Sequence, residues 1–324
     1  MPRLGCDREG SFLFQPREER LPLLDIFTGS VLPVFIIAGI GAVLGRALNL
    51  DPRPIGRLAL YVFAPSLVFS SLSSADTPIG DMLDIFAFQA MWLPFLYAVC
   101  WLLAWRSGLR GPDRSAFLLS TMFMNAVNYG LPVSLLAFGE EGLNRALLFL
   151  VPQALMSGTL AVYVASSSGL APKQALLTIV RLPMFYVTSA ALAINPFDVT
   201  LPTIISTPLD ILGAAAIPTM IIALGIQIAR ASLTKDLLPA GAATVVRLII
   251  SPALAFGVTL LLGITGVSQQ VVIVLAGMPT AVYTTLLATE FDTNPRQVTS
   301  AVALSTGASM VTITALVWLM LRLP

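Results

Sequence analysis

The ionisable residues of this chain are spaced so that they enclose long uncharged stretches. Between charges lie residues 26 to 45, 58 to 75, 85 to 105, 115 to 139, 146 to 172, 182 to 197, 211 to 229 and 297 to 321. A bilayer crossing takes roughly 20 mainly apolar residues, so these intervals have the lengths of membrane helices. The stretch 237 to 289 holds one charge, Arg247, and is too long for a single crossing; Gly263, Gly266, Ser268, Gln269 and Gln270 divide it in two. The reading is an all-α integral membrane protein of ten transmembrane helices. Its connections are short, so any site lies within the bundle or at its mouths.

Charged residues make up 11% of the 324-residue chain, against roughly 25% in a soluble domain. There is no His, which removes Ser-His-Asp hydrolysis, His-ligated zinc and imidazole proton relays. Cys6 and Cys100 make neither a disulfide framework nor a metal cluster. A net charge of +1 predicts no nucleic-acid partner. With no paired Asp in a span and no acid-rich diphosphate motif, the chain does not read as an enzyme, and no cofactor is expected. Residues 1 to 25 read as a polar N-terminal tail without the apolar core of a signal peptide. Basic residues gather in the loops of one side (Arg46, Arg53, Arg57, Arg106, Arg110, Arg114, Lys173, Arg181, Arg230, Lys235, Arg296), with Arg145 and Arg322 in those of the other. The positive-inside rule then places the first group in the cytoplasm and both termini outside.

Four prolines recur in order in the two halves. Pro33 matches Pro183, Pro65 matches Pro218, Pro94 matches Pro252, and Gly130-Leu131-Pro132 matches Gly277-Met278-Pro279, at offsets between 147 and 158 residues. Each half has five helices, an odd number, so the second copy enters the membrane from the opposite side. The expectation is a five-plus-five inverted repeat, residues 26 to 167 and 174 to 321, an architecture found in many secondary transporters. Proline frees the carbonyl four residues earlier, and a glycine two positions before it loosens the backbone. The fourth and ninth helices are therefore predicted to break at Pro132 and Pro279. New helices would start near Val133-Ser134 and Thr280-Ala281, offering N–H groups to an anion.

In sequence, Val31-Leu32-Pro33-Val34-Phe35, Asn125 before Gly130-Leu131-Pro132-Val133 and Phe138-Gly139-Glu140-Glu141-Gly142 are followed by Leu224-Gly225-Ile226-Gln227-Ile228-Ala229 and Met278-Pro279-Thr280-Ala281-Val282. Together they resemble the auxin efflux carrier family, whose fold is related to that of bile acid/sodium symporters, over residues 26 to 321. The chain departs from the family in reading Asn125-Ala126-Val127-Asn128 where many members have Asn-Thr-Gly. In place of the long central loop of plant carriers it has only Ser166 to Arg181, as in the bacterial type. The resemblance implies two crossed broken helices, a scaffold of helices one, two, six and seven, and a moving core of the others. It also implies transport of small organic anions such as malate or malonate.

Candidate substrate contacts are Asn125, Asn128, Gly130, Pro132, Ser134, Gly277, Pro279, Thr280, Tyr283 and Arg247, with Pro65 and Pro218 as hinges in the scaffold. Asn125 and Asn128, three apart, would share a helix face, as substrate ligands or as interhelical glue. Thr280, Tyr283 and Ser134 could give hydroxyls to a carboxylate or pack helices. Arg247 must face protein, water or an anion: it either pairs with helix carbonyls or attracts substrate. Glu290 is a loop acid or a proton-coupling group. Gly41-Ala42-Val43-Leu44-Gly45 is a close-packing pattern at a scaffold or dimer surface, and a homodimer through the scaffold is the expected assembly. The coupling ion, H+ or Na+, stays open, as do exchange and uniport. A channel or a ligand sensor on the same scaffold is the alternative function.

Overall fold

A computed structural model describes residues 22–74, 79–165, 183–195, 201–230 and 237–323. The first 21 residues of the tail and the connection 166–181 lie outside the described residues. The helices are α1 (Leu23–Ala47), α2 (Pro52–Ser73), α3 (Gly80–Arg106), α4 (Gly111–Met122), α5 (Leu131–Ala165), α6 (Pro183–Ile194), α7 (Thr203–Ala229), α8 (Leu237–Leu262), α9 (Gly266–Ala276), α10 (Tyr283–Glu290) and α11 (Pro295–Met320). Among the described residues, α1, α2, α3, α7, α8 and α11 are each long and apolar enough to cross a membrane. The molecule is an all-helical integral membrane protein. Ile36, Ile40 and Val43 form an exposed apolar stripe on α1, which suits lipid.

Local sequence sets several of the ends. Asp51 and Asn294 cap α2 and α11 by accepting the N–H groups of Arg53 and Gln297, and each cap is followed by a proline, whose missing N–H costs nothing in a first turn. Gly263, with φ of 70°, closes α8 in the left-handed region. Gly139 (φ 69°, ψ −161°) divides α5 into two arms.

The helical path widens into a single π turn at Phe27–Val31, Ala59–Phe63, Ala126–Gly130 and Val246–Ile250, each ending two residues before a proline: Pro33, Pro65, Pro132 and Pro252. The residue preceding each proline, namely Leu32, Ala64, Leu131 and Ser251, donates its N–H to the carbonyl five positions back. A pyrrolidine ring presses on the carbonyl four residues before it; the extra residue of a π turn relieves that clash without ending the helix.

This corrects the location of the first break. The fourth predicted helix is α4 plus the first arm of α5, and it opens at Phe123–Asn125, not at Pro132, which sits in continuous helical structure. Phe123 is extended (φ −106°, ψ 118°) and Asn125 has φ −82° and ψ 63°. The ninth helix opens between α9 and α10, around Pro279 as expected. The helix beyond that break starts at Tyr283, three residues later than predicted.

Packing falls into two groups. α1 lies along α7, and α2 packs on α6 and α7; α8 packs on α3, α9 and α11, while α9 also packs on α5 and α4 on α3 and α11. The glycine pattern of α1 belongs to the first group. A Cβ on Gly41 would strike the Ile222 carbonyl of α7, one on Gly225 would strike the Ala38 carbonyl, and one on Gly45 would come within 3.1 Å of Ile226. Gly41 and Gly45 thus serve an internal helix crossing instead of a dimer surface. α7 begins at Thr203, eight residues before its predicted start, and so takes in Asp210, which accepts a hydrogen bond from Ser70 of α2. It is interrupted at Ala215, three residues before Pro218.

Arg145, expected in an exterior loop, is buried in the second arm of α5. It pairs with Asp81 of α3 and, at 3.4 Å, with Glu141, and its Nε donates to Ser268 of α9 at 3.2 Å.

Candidate functional site at the helix crossover

The two breaks meet. The Asn125 N–H donates to the Pro279 carbonyl at 2.8 Å, and the Ala281 N–H to the Phe123 carbonyl at 2.9 Å, so Met124 and Thr280 face each other as an antiparallel bridge. Two chain segments with no regular partner of their own satisfy one another. Buried backbone must be paired, most of all at membrane depth.

The helix ends that converge here are held from one side by Arg247. Its side chain is fully buried in the π turn of α8. Nε donates to the Met278 carbonyl at 3.0 Å and one terminal nitrogen to the Thr121 carbonyl at 2.9 Å. The other terminal nitrogen donates to Ser251 Oγ at 2.9 Å and to the Ala276 carbonyl. The last carbonyls of α4 and α9 lack intrahelical donors and sit at the negative ends of two helix dipoles. One guanidinium answers both. Trp92 lies 5.9 Å from it, with its ring facing the cation. Of the two sequence readings of Arg247, pairing with helix carbonyls is the one its hydrogen bonds fit, since they go to the crossover backbone and Ser251.

Thr280 is likewise engaged. Its hydroxyl donates to the Ser120 carbonyl at 2.7 Å and its N–H to Ser305 Oγ at 3.1 Å. It fastens the crossover to α4 and α11 instead of opening a helix. The Leu275 carbonyl, expected to be freed by Pro279, accepts from Met278 at 3.1 Å. Gly130 and Gly277 permit close packing at the crossover: a Cβ on Gly130 would lie 2.6 Å from Leu275, and one on Gly277 2.6 Å from Leu316.

Asn125 is different. It is 5% exposed, and its side-chain Nδ2 has no hydrogen-bond partner. Because Asn125 stands in the break, it does not share a helix face with Asn128, which is half-buried in the π turn. That turn packs against α7, and next to Asn128 the ring of Tyr129 meets Phe35 of α1 edge-on at 5.6 Å. The break therefore lies where the two helix groups touch. Pro132 and Ser134 follow it in α5, and the buried Ser134 Oγ has no partner. Tyr283 meets Phe123 edge-on at 6.2 Å. Pro65 and Pro218 belong to α2 and α7, in the other group of helices.

Ser120, Ser251, Ser305 and Ser309 were not singled out in the sequence. Ser305, Thr306 and Ser309 are buried on α11, and Ser309 Oγ donates to the Tyr129 hydroxyl at 3.4 Å. Small hydroxyl residues are ordinary at membrane helix contacts, so nothing in their pattern marked them. Among the described residues no cluster of three potential metal-ligating side chains occurs.

A family model described as membrane transport protein matches residues 170–319. An uncharacterized transporter of Methanothermobacter thermautotrophicus is 30% identical over 296 residues, spanning 89% of this chain and 97% of the relative. The chain belongs to the auxin efflux carrier family of membrane transport proteins. A second relative, an uncharacterized transporter of Methanocaldococcus jannaschii, is 25% identical over 305 residues, spanning 90% of this chain and 97% of its own length. Membership indicates a role in membrane transport. The similarity to the two relatives extends over both halves of the chain.

Proposed function

We propose that this protein is a secondary transporter of small organic anions, carboxylates such as malate or malonate, working by alternating access around the crossover. The observation that carries the reading is the uneven treatment of the crossover's charges. The C-terminal ends of α4 and α9 are hydrogen-bonded by Arg247, while the buried Asn125 Nδ2 is left without an acceptor. A carboxylate oxygen is the acceptor such a donor lacks, and the helix start that follows Asn125 favours negative charge.

In this reading the chain makes ten crossings as two inverted five-helix repeats, 26–167 and 174–321, with both termini outside. α1, α2, α6 and α7 form the scaffold, and the rest move against it. The mutual pairing of the two breaks and the two packing groups support it. Asn125 and Asn128 orient the carboxylate, with Ser134 and Tyr283 near it. Pro65 and Pro218 mark the distorted turns that let the scaffold helices bend. The membrane is a bacterial inner membrane, a scaffold-mediated homodimer is the assembly, and H+ or Na+ coupling is decided by the gradients below.

The test is uptake of labelled malate, malonate, succinate and indole acetate into proteoliposomes under separate proton, sodium and electrical gradients. Saturable flux of one acid, lost in a folded Asn125→Ala variant, is the expected result. Loss of the folded protein on that substitution would make Asn125 interhelical glue. Ligand binding without flux would make the protein a sensor.

A further inference from the structure

Among the described residues, two buried side chains carry permanent charge, Arg145 and Arg247. They are held differently. Arg145 faces Asp81 and Glu141, so its charge is met by acids on α3 and on its own helix. Arg247 is hydrogen-bonded to four carbonyls, those of Thr121, Met122, Ala276 and Met278, and to the Ser251 hydroxyl. Those partners solvate the guanidinium without neutralising it. No carboxylate is among the buried polar residues described. The position related to Arg247 in the first half, five residues before Pro94, is Gln89, a neutral amide that donates to the Phe149 carbonyl at 2.5 Å. The crossover therefore bears a net positive charge, and guanidinium does not lose its proton in proteins.

Every partner of Arg247 lies on α4, α8, α9 or the crossover, and Trp92 lies on α3; none lies on α1, α2, α6 or α7. The charge is tied to one packing group. Resting on the transport reading above, the geometry points to Arg247 as a resident counter-charge. It rides with the moving helices and fixes the charge of the unit that crosses. Arg247 is a positioning residue that never touches cargo. At the buried crossover Arg247 contributes +1 when the site is empty, which a monoanion balances and a dianion outweighs. A cationic solute would raise the charge there to +2, so the device selects against cations and in favour of anions.

The experiment needs no cargo. Fluorophores on cysteines at Leu48 (end of α1) and Ser107 (after α3), in a chain with Cys6 and Cys100 replaced by serine, report the separation of the two groups by energy transfer. The protein is placed in liposomes of defined orientation, and the potential is set by potassium and valinomycin. A full charge crossing the whole field shifts an equilibrium by about fifty-fold per 100 mV. The empty carrier is expected to shift between two populations by at least about fivefold per 100 mV. Ser251→Asp places an acid against the guanidinium and should abolish the shift while both populations persist. Populations indifferent to potential, or one population at every potential, would overturn the inference. So would a Ser251→Asp variant as responsive as the parent. Indole acetate is expected to flatten the response and malate to reverse it. If neither acid changes it while the empty carrier still responds, the counter-charge stands and the carboxylate reading falls.

Discussion

The hydroxyl of Thr280 donates to the carbonyl oxygen of Ser120 across 2.7 Å, joining the second break to the last turn of α4. The bond is buried on both sides, and it separates Thr280 from Asn125, although the two lie one bridge position apart. Thr280→Val keeps shape and loses the donor, so it should cost about 1 kcal/mol of stability and leave transport largely intact. Thermal unfolding in detergent beside a flux assay checks both halves; loss of flux with unchanged stability would return Thr280 to the substrate site.

Arg247→Met takes a donor from four buried carbonyls at once, of which Ala276 keeps the Ser251 hydroxyl at 2.7 Å. Each orphaned group costs about 1–3 kcal/mol, so the variant should lose several kcal/mol. Size-exclusion chromatography after extraction is expected to show aggregated or unfolded material. A monodisperse variant with parental thermal stability would mean the carbonyls find other donors.

Gly225→Ala introduces a methyl group where α7 meets the Ala38 carbonyl of α1. Backbone cannot yield as a side-chain tip does, so the helices must part, at about 1–3 kcal/mol. The midpoint of thermal unfolding should fall by several degrees, and Gly257→Ala, where a Cβ meets nothing within 4 Å, should leave it unchanged.

Gly139 holds φ 69° and ψ −161° between the arms of α5, a region that is essentially glycine-only and costs other residues about 1–3 kcal/mol. Gly139→Ala should destabilise by that amount although no neighbour lies within 4 Å of the added methyl. Hydrogen exchange should show the loss concentrated at residues 135–145.

Much of this was legible in the sequence because membrane helices announce themselves by length and by the spacing of charges. The break at Pro279 was legible too, since proline acts on its own helix. Pro132 misled for the same local reason: a proline can be absorbed by one wide turn, and the sequence does not say which outcome is chosen. The true first break, Phe123–Asn125, contains neither Gly nor Pro. Its extended backbone is set by hydrogen bonds to Pro279 and Ala281, more than 150 positions away, which no local pattern encodes. Arg247 was conspicuous as an intramembrane charge, yet its choice between carbonyls and substrate depended on where two distant helix ends come to rest.

The clamp also orders the making of the protein. Arg247 reaches Thr121 across 126 positions of sequence, so the end of α4 emerges from the ribosome long before its donor does. Until α8 has entered the bilayer, the first half must hold bare carbonyls at membrane depth, inside the insertion machinery or against water. The crossover is thus completed only during insertion of the second half. The first five helices produced alone should be poor at leaving the translocon, and the same five produced beside a separate second half should be rescued by it.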